Sequence, residues 1–150
     1  PIFKLPVLSK IFEKVLKAQI TDHFERFQLF NENQFGFRSG KSTVDAILQL
    51  VNYFLEGFDS KKYSKASFLD ITKCFDCIPH GLLIAKMGKY GFCEDACSLM
   101  RSYLNNRVQA VSHMDVFSDF VINNIGIPQG SVLGALFFLI FINDLPSQIA

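Results

Sequence analysis

The sequence contains no apolar run long enough to cross a membrane. Its longest unbroken apolar stretch, "VLGALFFLIFI" at residues 132–142, is far shorter than the roughly 18–20 residues that a membrane-spanning helix needs. A stretch typical of a secretory signal peptide is also missing. We therefore expect an intracellular protein of the nucleus or cytoplasm, in which residues 132–142 form a buried helix.

Internal repeats and low-complexity segments are absent, and only 19% of the residues are charged. The composition is 49% hydrophobic and includes 17 phenylalanines, which excludes a disordered chain. So much apolar material in 150 residues predicts a dense core, a surface that packs against another segment, or both. Because the first residue is Pro1 rather than Met, and an apolar segment leads almost directly to Ala150, we expect a piece of a longer protein.

The net charge is small, +1, but it is unevenly distributed. Residues 1–65 contain ten Lys and Arg against seven Asp and Glu, whereas residues 66–150 contain five against seven. A basic first half suits a polyanionic partner, and an acidic second half suits a metal site. This difference is too small to decide between function classes, so the motifs must do so.

Apolar spacing and end signals predict five helices. They are expected over residues 9–27, from a capping-box-like Ser42 and Asp45 pair onward, from Pro79 to Gly91, over about residues 95–104, and after Ser131. The short apolar segment "ASFLDI", residues 66–71, predicts a buried strand, and the polar residues 57–65 before it predict a loop. Residues 107–131 predict strands around a polar turn near Ser118 and Asp119. The expected class is α+β, with helices packed on a small antiparallel sheet.

The stretch "GFRSGKST", residues 36–43, resembles a phosphate-binding loop but does not fit one. Only three residues separate Gly36 from Gly40, whereas the motif needs four, and no convincing strand precedes it. We interpret it as a loop that leads into a capped helix. Arg38 and Lys41 are then solvated or phosphate-facing cations.

The cysteines and one histidine allow further alternatives. The spacing of Cys74, Cys77, Cys93 and Cys97 approximates a four-thiolate zinc site, and the alternative is a set of buried free thiols in an intracellular protein. His80, close to Cys77, belongs to a Cys-His nucleophile or orients a turn.

Two stretches are candidates for chemistry. In "FLDITKCFDCIPH", residues 68–80, Asp70 ends the apolar strand; it is either an Mg²⁺ ligand or the cap of the next turn. In "GIPQGSVLGALFF", residues 126–138, two glycines flank Pro128 and Gln129 ahead of a helix. The glycines permit close approach of the backbone to a ligand, or the stretch is a hairpin exit with a helix cap at Ser131.

Five segments, in this order, resemble the reverse transcriptase domain of non-LTR (LINE-type) retrotransposons, over essentially the whole chain. The segment "PIFKLPVLSKIFEKVL" is similar to the family's "RPISLLPVLSKIFEK", and "NQFGFRSGKSTVDAI" to its "QFGFRPGKST-DA". The segment "FLDITKCFDCIPHGLL" resembles its first palm motif, "LDLSKAFDCVPH-LL". "SYLNNRVQAV" matches "YL-NR-Q-V", and "GIPQGSVLGALFFLIFINDLP" matches "GVPQGSVLGPLLF-L-INDLP".

The resemblance implies a fragment of a right-hand polymerase, with fingers-side helices over about residues 1–65 and palm over about residues 66–150. It implies an RNA-directed DNA polymerase that adds dNTPs to a DNA primer on an RNA template by two-metal phosphoryl transfer. The implied cofactors are two Mg²⁺ ions, with Mn²⁺ as an alternative. No role for a membrane is implied.

The resemblance also assigns roles to residues around the reacting phosphates. Asp70 would be catalytic, holding the Mg²⁺ pair, and the backbone carbonyl of Ile71 would complete one metal shell. Backbone amides near Lys73 and Cys74 would face the triphosphate of the nucleotide.

The remaining roles concern the nucleotide and the nucleic acid. Phe75 would pack under the sugar and exclude a 2′-hydroxyl, so that deoxynucleotides are selected. Gln129 and Gly130 would line the pocket around the incoming base and the template. Arg38 and Lys41 would make sequence-independent contacts with phosphates.

The sequence departs from the family pattern at Phe3-Lys4, Cys74, Gly81 and Ala135, and it lacks the family's Asp-Asp pair. That pair belongs to a catalytic hairpin expected shortly after Ala150, and a thumb is also expected elsewhere in the protein. Because Asp70 alone cannot hold two metal ions, we expect the isolated chain to be inactive. The alternative function is a non-catalytic relic, or a repurposed module that binds nucleic acid or protein.

Overall fold

The computed structural model describes residues 5–114 and 116–149, which contain six helices and four short strands. Phe3 and Lys4, where the sequence departs from the family pattern, lie outside the described residues. In chain order the elements are α1 (Val7–Arg26), α2 (Thr43–Asp59), α3 (His80–Lys89), α4 (Glu94–Leu104), β1 (Arg107–Gln109), β2 (Ser112–His113), β3 (Val116–Phe117), β4 (Val121–Asn123), α5 (Gly134–Ile142) and α6 (Leu145–Ile149). This mixture of helices and small antiparallel sheets agrees with the expected α+β class.

The chain divides into two compact units. The first comprises the described residues of Pro1–Leu29 and Lys73–Ile142, and the second comprises those of Phe30–Thr72 and Asn143–Ala150. The first unit therefore contains α1, α3, α4, α5 and all four strands, and the second contains α2 and α6.

Helix α1 confirms the helix predicted over residues 9–27. Its buried apolar residues, Leu16, Ile20 and Phe24, recur at helical spacing along one face. The ring of Phe24 packs against Tyr90, with 5.1 Å between centroids, and the adjacent His23 donates from Nε2 to the Tyr90 carbonyl at 2.7 Å. These contacts attach α1 to the connection between α3 and α4.

Helices α3, α4 and α5 supply most of the remaining core of the first unit. Pro79 precedes α3 as predicted, and the helix ends at Lys89, just before Gly91 at a φ of +88°. A φ in this left-handed range suits glycine, so Gly91 ends the helix as its sequence position indicated. Helix α3 packs against both α4 and α5.

Helix α5 confirms that the apolar run at residues 132–142 is a buried helix. Its buried residues are Gly134, Leu136, Phe137, Leu139 and Ile140. Among the helices of the described residues, none combines the length and the apolar character that crossing a membrane requires.

The four strands form two antiparallel pairs, β1 with β4 and β2 with β3. The register Ser112↔Phe117 and His113↔Val116 places the chain reversal between His113 and Val116. The turn predicted near Ser118 and Asp119 is therefore wrong. Ser118 instead bonds across the hairpin: its N–H donates to the Val111 carbonyl at 2.9 Å, and its Oγ accepts from the Val111 N–H at 2.9 Å.

The buried strand predicted over residues 66–71 is also wrong. The segment is irregular, and the side chains of Phe68 and Leu69 are 84% and 78% exposed. A strand is stable only when a neighbouring strand satisfies its backbone groups, and none of the described residues pairs with this segment.

In the second unit, α2 begins at the predicted capping box. Ser42 Oγ accepts from the Asp45 N–H at 3.2 Å, and Asp45 Oδ2 accepts from the Ser42 N–H at 2.8 Å. The hydrogen bond from the Ser42 hydroxyl, followed by that from its backbone, lowers the pKa of Asp45. An apolar stripe at helical spacing, called here the α2 stripe, is exposed: Val44, Ile47, Leu48, Val51 and Leu55.

Candidate functional site

Residues 75–80 and residues 125–129 lie side by side in the first unit and are called here the paired segments. The Gly126 N–H donates to the Ile78 carbonyl and the Ile127 N–H to the Phe75 carbonyl, each at 2.8 Å. Pro79 and Ile125 also form an antiparallel bridge. The two stretches that the sequence singles out for chemistry are thus joined by backbone hydrogen bonds.

Gly126 allows this close approach. A Cβ at this position would lie 2.6 Å from the Asp76 carbonyl oxygen, and its φ of +79° is one that L residues rarely adopt. The close contact expected between a glycine and a ligand is, at Gly126, a contact between two backbone segments. A side chain here would force the paired segments apart.

His80 fixes the same glycine from the start of α3. Its ring is buried, and Nε2 donates to the Gly126 carbonyl at 2.7 Å. Within the described residues, Nδ1 has no hydrogen-bond partner. This contact supports a histidine that orients a turn, one of the two alternatives left by the sequence.

Gln129 is half-buried at the end of the second paired segment, and Gly130 is exposed beside it. The side-chain Nε2 of Gln129 donates to Asp76 Oδ1 at 3.2 Å. Asp76, for which the sequence predicted no role, therefore orients the amide of Gln129.

Phe75 stands at the start of the first paired segment. Its half-buried ring contacts Phe138 of α5, with 5.0 Å between centroids and 36° between ring planes. Lys73 and Cys74 lie in the turn before it, which is closed by the Asp76 N–H donating to the Lys73 carbonyl at 2.8 Å. Lys73, Cys74, Phe75, Gln129 and Gly130 thus all belong to the first unit.

Asp70 and Ile71 belong to the second unit, in the irregular segment before the paired segments. Both side chains are exposed. An exposed carboxylate is a hard oxygen donor, so Asp70 fits one position of a magnesium donor set. Among the described residues, no cluster of three or more His, Cys, Asp or Glu could complete such a set.

The structure also gives no support to the zinc alternative, since no cluster of three or more His, Cys, Asp or Glu among the described residues could hold a metal ion. Cys74, Cys77, Cys93 and Cys97 are free cysteines that differ in exposure, from exposed Cys77 and Cys93 to buried Cys97. Burial raises the pKa of the Cys97 thiol, which disfavours the thiolate form that zinc requires.

Arg38 and Lys41 both lie over aromatic rings in the second unit. The Arg38 guanidinium is 4.9 Å from the centroid of Phe30 and donates to the Asn31 carbonyl at 3.2 Å. Lys41 Nζ is 4.9 Å from the centroid of Phe35 and donates to the Glu32 carbonyl. These contacts hold both cations to the loop before α2; their role toward nucleic acid stays a prediction.

Glu13, on α1, is a residue that the sequence interpretation missed. Its side chain is fully buried; Oε1 accepts from the Ser9 and Tyr103 hydroxyls at 3.1 and 3.0 Å, and Oε2 accepts from the Val132 N–H at 2.6 Å. Burial, followed by the negative charge of Glu13, raises the pKa of Tyr103 to about 12. The signal was present: Glu13 precedes Leu16 by three residues on the buried face of α1, where helical spacing calls for an apolar side chain.

Two cavities in the first unit, of about 300 and 350 Å³, lie apart from the paired segments. One is between α3 and α4 and the other is between α1 and α4, and neither is lined by Phe75, Gln129 or their neighbours. The paired segments are therefore the candidate site because of their motifs and contacts, and not because they enclose a cavity.

Comparison with known proteins identifies the family. The family model described as "Reverse transcriptase (RNA-dependent DNA polymerase)" matches residues 1–150. The chain is 37% and 36% identical, over 97% of its length, to two proteins of Drosophila melanogaster, "Probable RNA-directed DNA polymerase from transposon X-element" and "Probable RNA-directed DNA polymerase from transposon BS". It is 33% identical, over 99% of its length, to "RNA-directed DNA polymerase from mobile element jockey" of Drosophila funebris.

The chain spans only 16% of the length of each of these relatives. The match nevertheless covers every segment on which the resemblance to non-LTR retrotransposons depends, and that resemblance is confirmed. The chain belongs to the reverse transcriptase (RNA-dependent DNA polymerase) family.

Proposed function

We propose that this chain is the fingers-side and palm part of a right-hand polymerase, a non-LTR retrotransposon reverse transcriptase. In the whole protein it would extend a DNA primer along an RNA template with dNTPs. The observation that carries this proposal is the pairing of residues 75–80 with residues 125–129. These two segments come from the stretches that resemble the family's first palm motif and its "GVPQGSVLG" motif, and a nucleotide pocket built from both motifs requires them to be adjacent.

Asp70 is the proposed catalytic carboxylate, with the Ile71 carbonyl as a further metal ligand. When bound, two Mg²⁺ ions, or Mn²⁺ in their place, would activate the primer hydroxyl and offset the charge that develops on the phosphates. Asp70 contributes the oxygen donor and the negative charge that attract the ions. The second carboxylate source would be the Asp-Asp hairpin, which together with the thumb would be supplied by other segments of the protein.

Lys73, Cys74 and Phe75 form the proposed binding surface for the triphosphate and the sugar. The backbone amides of Lys73 and Cys74, in the turn closed by Asp76, would donate to phosphate oxygens. The Phe75 ring, which packs against Phe138, would occupy the space beside the sugar and exclude a 2′-hydroxyl. The protein would therefore select deoxynucleotides by steric exclusion.

Gln129 and Gly130 are the proposed neighbours of the incoming base and the template. The bond from Gln129 Nε2 to Asp76 restricts the rotation of the Gln129 side chain. Its amide oxygen keeps acceptor capacity for a nucleotide or a template strand. Asp76 thereby gains a proposed role as the residue that orients Gln129.

Arg38 and Lys41 are the proposed contacts with nucleic-acid phosphates. Packing over Phe30 and Phe35 leaves their charges intact and reduces the side-chain freedom that would be lost on binding. Such contacts would be independent of sequence and sensitive to salt.

The test compares full-length protein with its Asp70→Asn variant in primer extension on an RNA template. Loss of a metal-binding carboxylate should lower the extension rate by on the order of 10³-fold or more, since metal ions contribute several kcal/mol to such reactions. Binding of the template should change less than about twofold, because phosphate contacts supply most of that affinity.

Asp119→Asn, at an exposed aspartate in the hairpin of the first unit, is the matched control and should extend primers normally. Equal extension by Asp70→Asn and the unchanged protein would refute the metal role of Asp70. Template binding without any extension by the unchanged protein would instead favour a non-catalytic nucleic-acid-binding module.

A further inference from the structure

We propose that Glu13 is a positioning residue for the nucleotide pocket: from α1 it holds the turn that carries Gln129. This inference rests on the proposed function for its consequence on dNTP use, and on geometry alone for the effect on the turn. The Glu13 carboxylate bonds the Val132 amide, which lies three residues after Gln129.

The groups around Glu13 all donate hydrogen bonds to its carboxylate. Each of its three hydrogen bonds comes from a donor: the hydroxyls of Ser9 and Tyr103 on Oε1 and the Val132 N–H on Oε2. A buried carboxylate is strongly unfavourable unless such donors surround it. Glu13 is therefore bound to one arrangement of α1, α4 and the segment before α5.

The Val132 amide needs a partner from another part of the chain. It lies two residues before the start of α5 at Gly134, in the turn that precedes the helix, and a backbone amide in such a segment must be satisfied by a side chain, another backbone group or water. Glu13 satisfies this amide from a position 119 residues earlier in the sequence. Its negative charge also complements the positive end of the α5 dipole.

The turn between the paired segments and α5 is consequently held at both ends. At its start, His80 and the Phe75 carbonyl fix Gly126 and Ile127. At its end, Glu13 fixes Val132. Loss of Glu13 would free the end of the turn that follows Gln129 while leaving the start in place.

The experiment compares Glu13→Met with Glu13→Gln in the full-length protein. Methionine has a similar length but offers no strong acceptor to Val132. Glutamine can accept from the Val132 N–H through its carbonyl oxygen, while its amide group faces two hydroxyls that can rotate to accept. We expect the KM for dNTP to rise about tenfold in Glu13→Met, with a smaller change in kcat, and to stay near the original value in Glu13→Gln.

Tyr103→Phe is the matched control, because it removes one hydroxyl from Oε1 and leaves the bond from Oε2 to Val132. It should lower thermal stability without changing the KM for dNTP. A general loss of stability would affect Tyr103→Phe and Glu13→Met alike. A change in KM that occurs only in Glu13→Met would therefore show that Glu13 positions the turn that carries Gln129.

A second readout does not need activity. Hydrogen exchange of the Val132 amide should be at least about tenfold faster in Glu13→Met than in the unchanged protein, while exchange of the Ile127 amide stays the same. Where Glu13→Met fails to fold, Val132→Pro removes the amide donor while leaving the Glu13 carboxylate in place, and it should raise the KM for dNTP by a similar factor.

Unchanged Val132 exchange in folded Glu13→Met, or an unchanged KM in Val132→Pro, would overturn the role of Glu13. A different result would separate the two proposals. If the protein without substitutions extends no primer, but Glu13→Met speeds exchange of the Val132 amide as expected, the proposed function is refuted and the contact between Glu13 and Val132 is established.

Discussion

Single buried polar side chains fix backbone segments that are distant in the sequence. His80 bonds the Gly126 carbonyl and Glu13 bonds the Val132 amide in the first unit; Asn143 Oδ1 accepts from the Asn31 N–H in the second. Each contact satisfies a backbone group that has no partner in a helix or strand. Such groups are costly to leave unpaired, so each of these side chains stabilises one local arrangement over others.

The contact between Glu13 and Tyr103 has a measurable consequence at high pH. Burial, followed by the Glu13 charge, raises the pKa of Tyr103 from its ordinary value of 10.0 to about 12. Below pH 10 the phenol is protonated in both the folded and the unfolded state, so the full stability is present. Between pH 10 and about 12 the unfolded state releases this proton first, and the free energy of unfolding should fall.

Spectrophotometric titration of phenolate in the unchanged protein and in Tyr103→Phe checks this expectation. The difference between the two curves should show one transition near pH 12. A difference transition near pH 10 would show that Tyr103 does not sit beside a buried negative charge.

The sequence singled out individual site residues, but it did not identify the contacts between them. The motifs singled out Asp70, Phe75 and Gln129, and these remain the proposed catalytic and nucleotide-binding residues. The bond between Asp76 and Gln129 was not predicted, because it joins residues 53 positions apart. The burial of Glu13 was not predicted either, because it depends on contacts with Tyr103 and Val132, which are distant in the sequence.

At the scale of elements, the predictions succeeded where the signals are local. The capping pair at Ser42 and Asp45, Pro79 before α3 and Gly91 after it were each confirmed. These signals act within one or two helical turns, so a single sequence contains them.

Strands depend on partners that the sequence does not identify. Residues 66–71 have the composition of a buried strand but no paired neighbour among the described residues. In the hairpin, Ser118 is a residue type common in turns, yet its hydroxyl accepts a hydrogen bond from the Val111 N–H on the opposite strand. Both predictions were wrong because the preference of a residue for strand or turn does not determine which segments pair.

The exposed α2 stripe predicts the behaviour of the 150-residue chain when it is produced by itself. The apolar helix α5 is buried. The α2 stripe instead presents contiguous apolar side chains to water, for example Ile47 at 60% exposure. We expect the chain to self-associate through this stripe.

Light scattering of Leu48→Lys/Val51→Lys should show less association than that of the unchanged chain. Gln49→Lys/Asn52→Lys adds the same charge to exposed polar positions of α2 and should leave association nearly unchanged. Equal effects of the two double variants would assign the result to net charge alone, and a monomeric unchanged chain would contradict the prediction.

At the scale of the whole molecule, the chain corresponds to a small part of the relatives that it matches. It spans 16% of the length of its relatives, and its described residues provide one proposed metal-binding carboxylate. Polymerase activity is therefore a property to be measured in the full-length protein. Within the described residues, the paired segments carry the proposed nucleotide pocket.

The most direct test of that pocket is the choice between deoxynucleotides and ribonucleotides by full-length Phe75→Ala. Removing the ring should open the space beside the sugar, and the preference for dNTP over rNTP, taken as the ratio of kcat/KM values, should fall by roughly tenfold to a hundredfold. Phe120→Ala, at an exposed position in the hairpin, is the control and should keep the original preference. A Phe75→Ala protein that extends primers and discriminates between the two sugars as well as the unchanged protein would contradict the account.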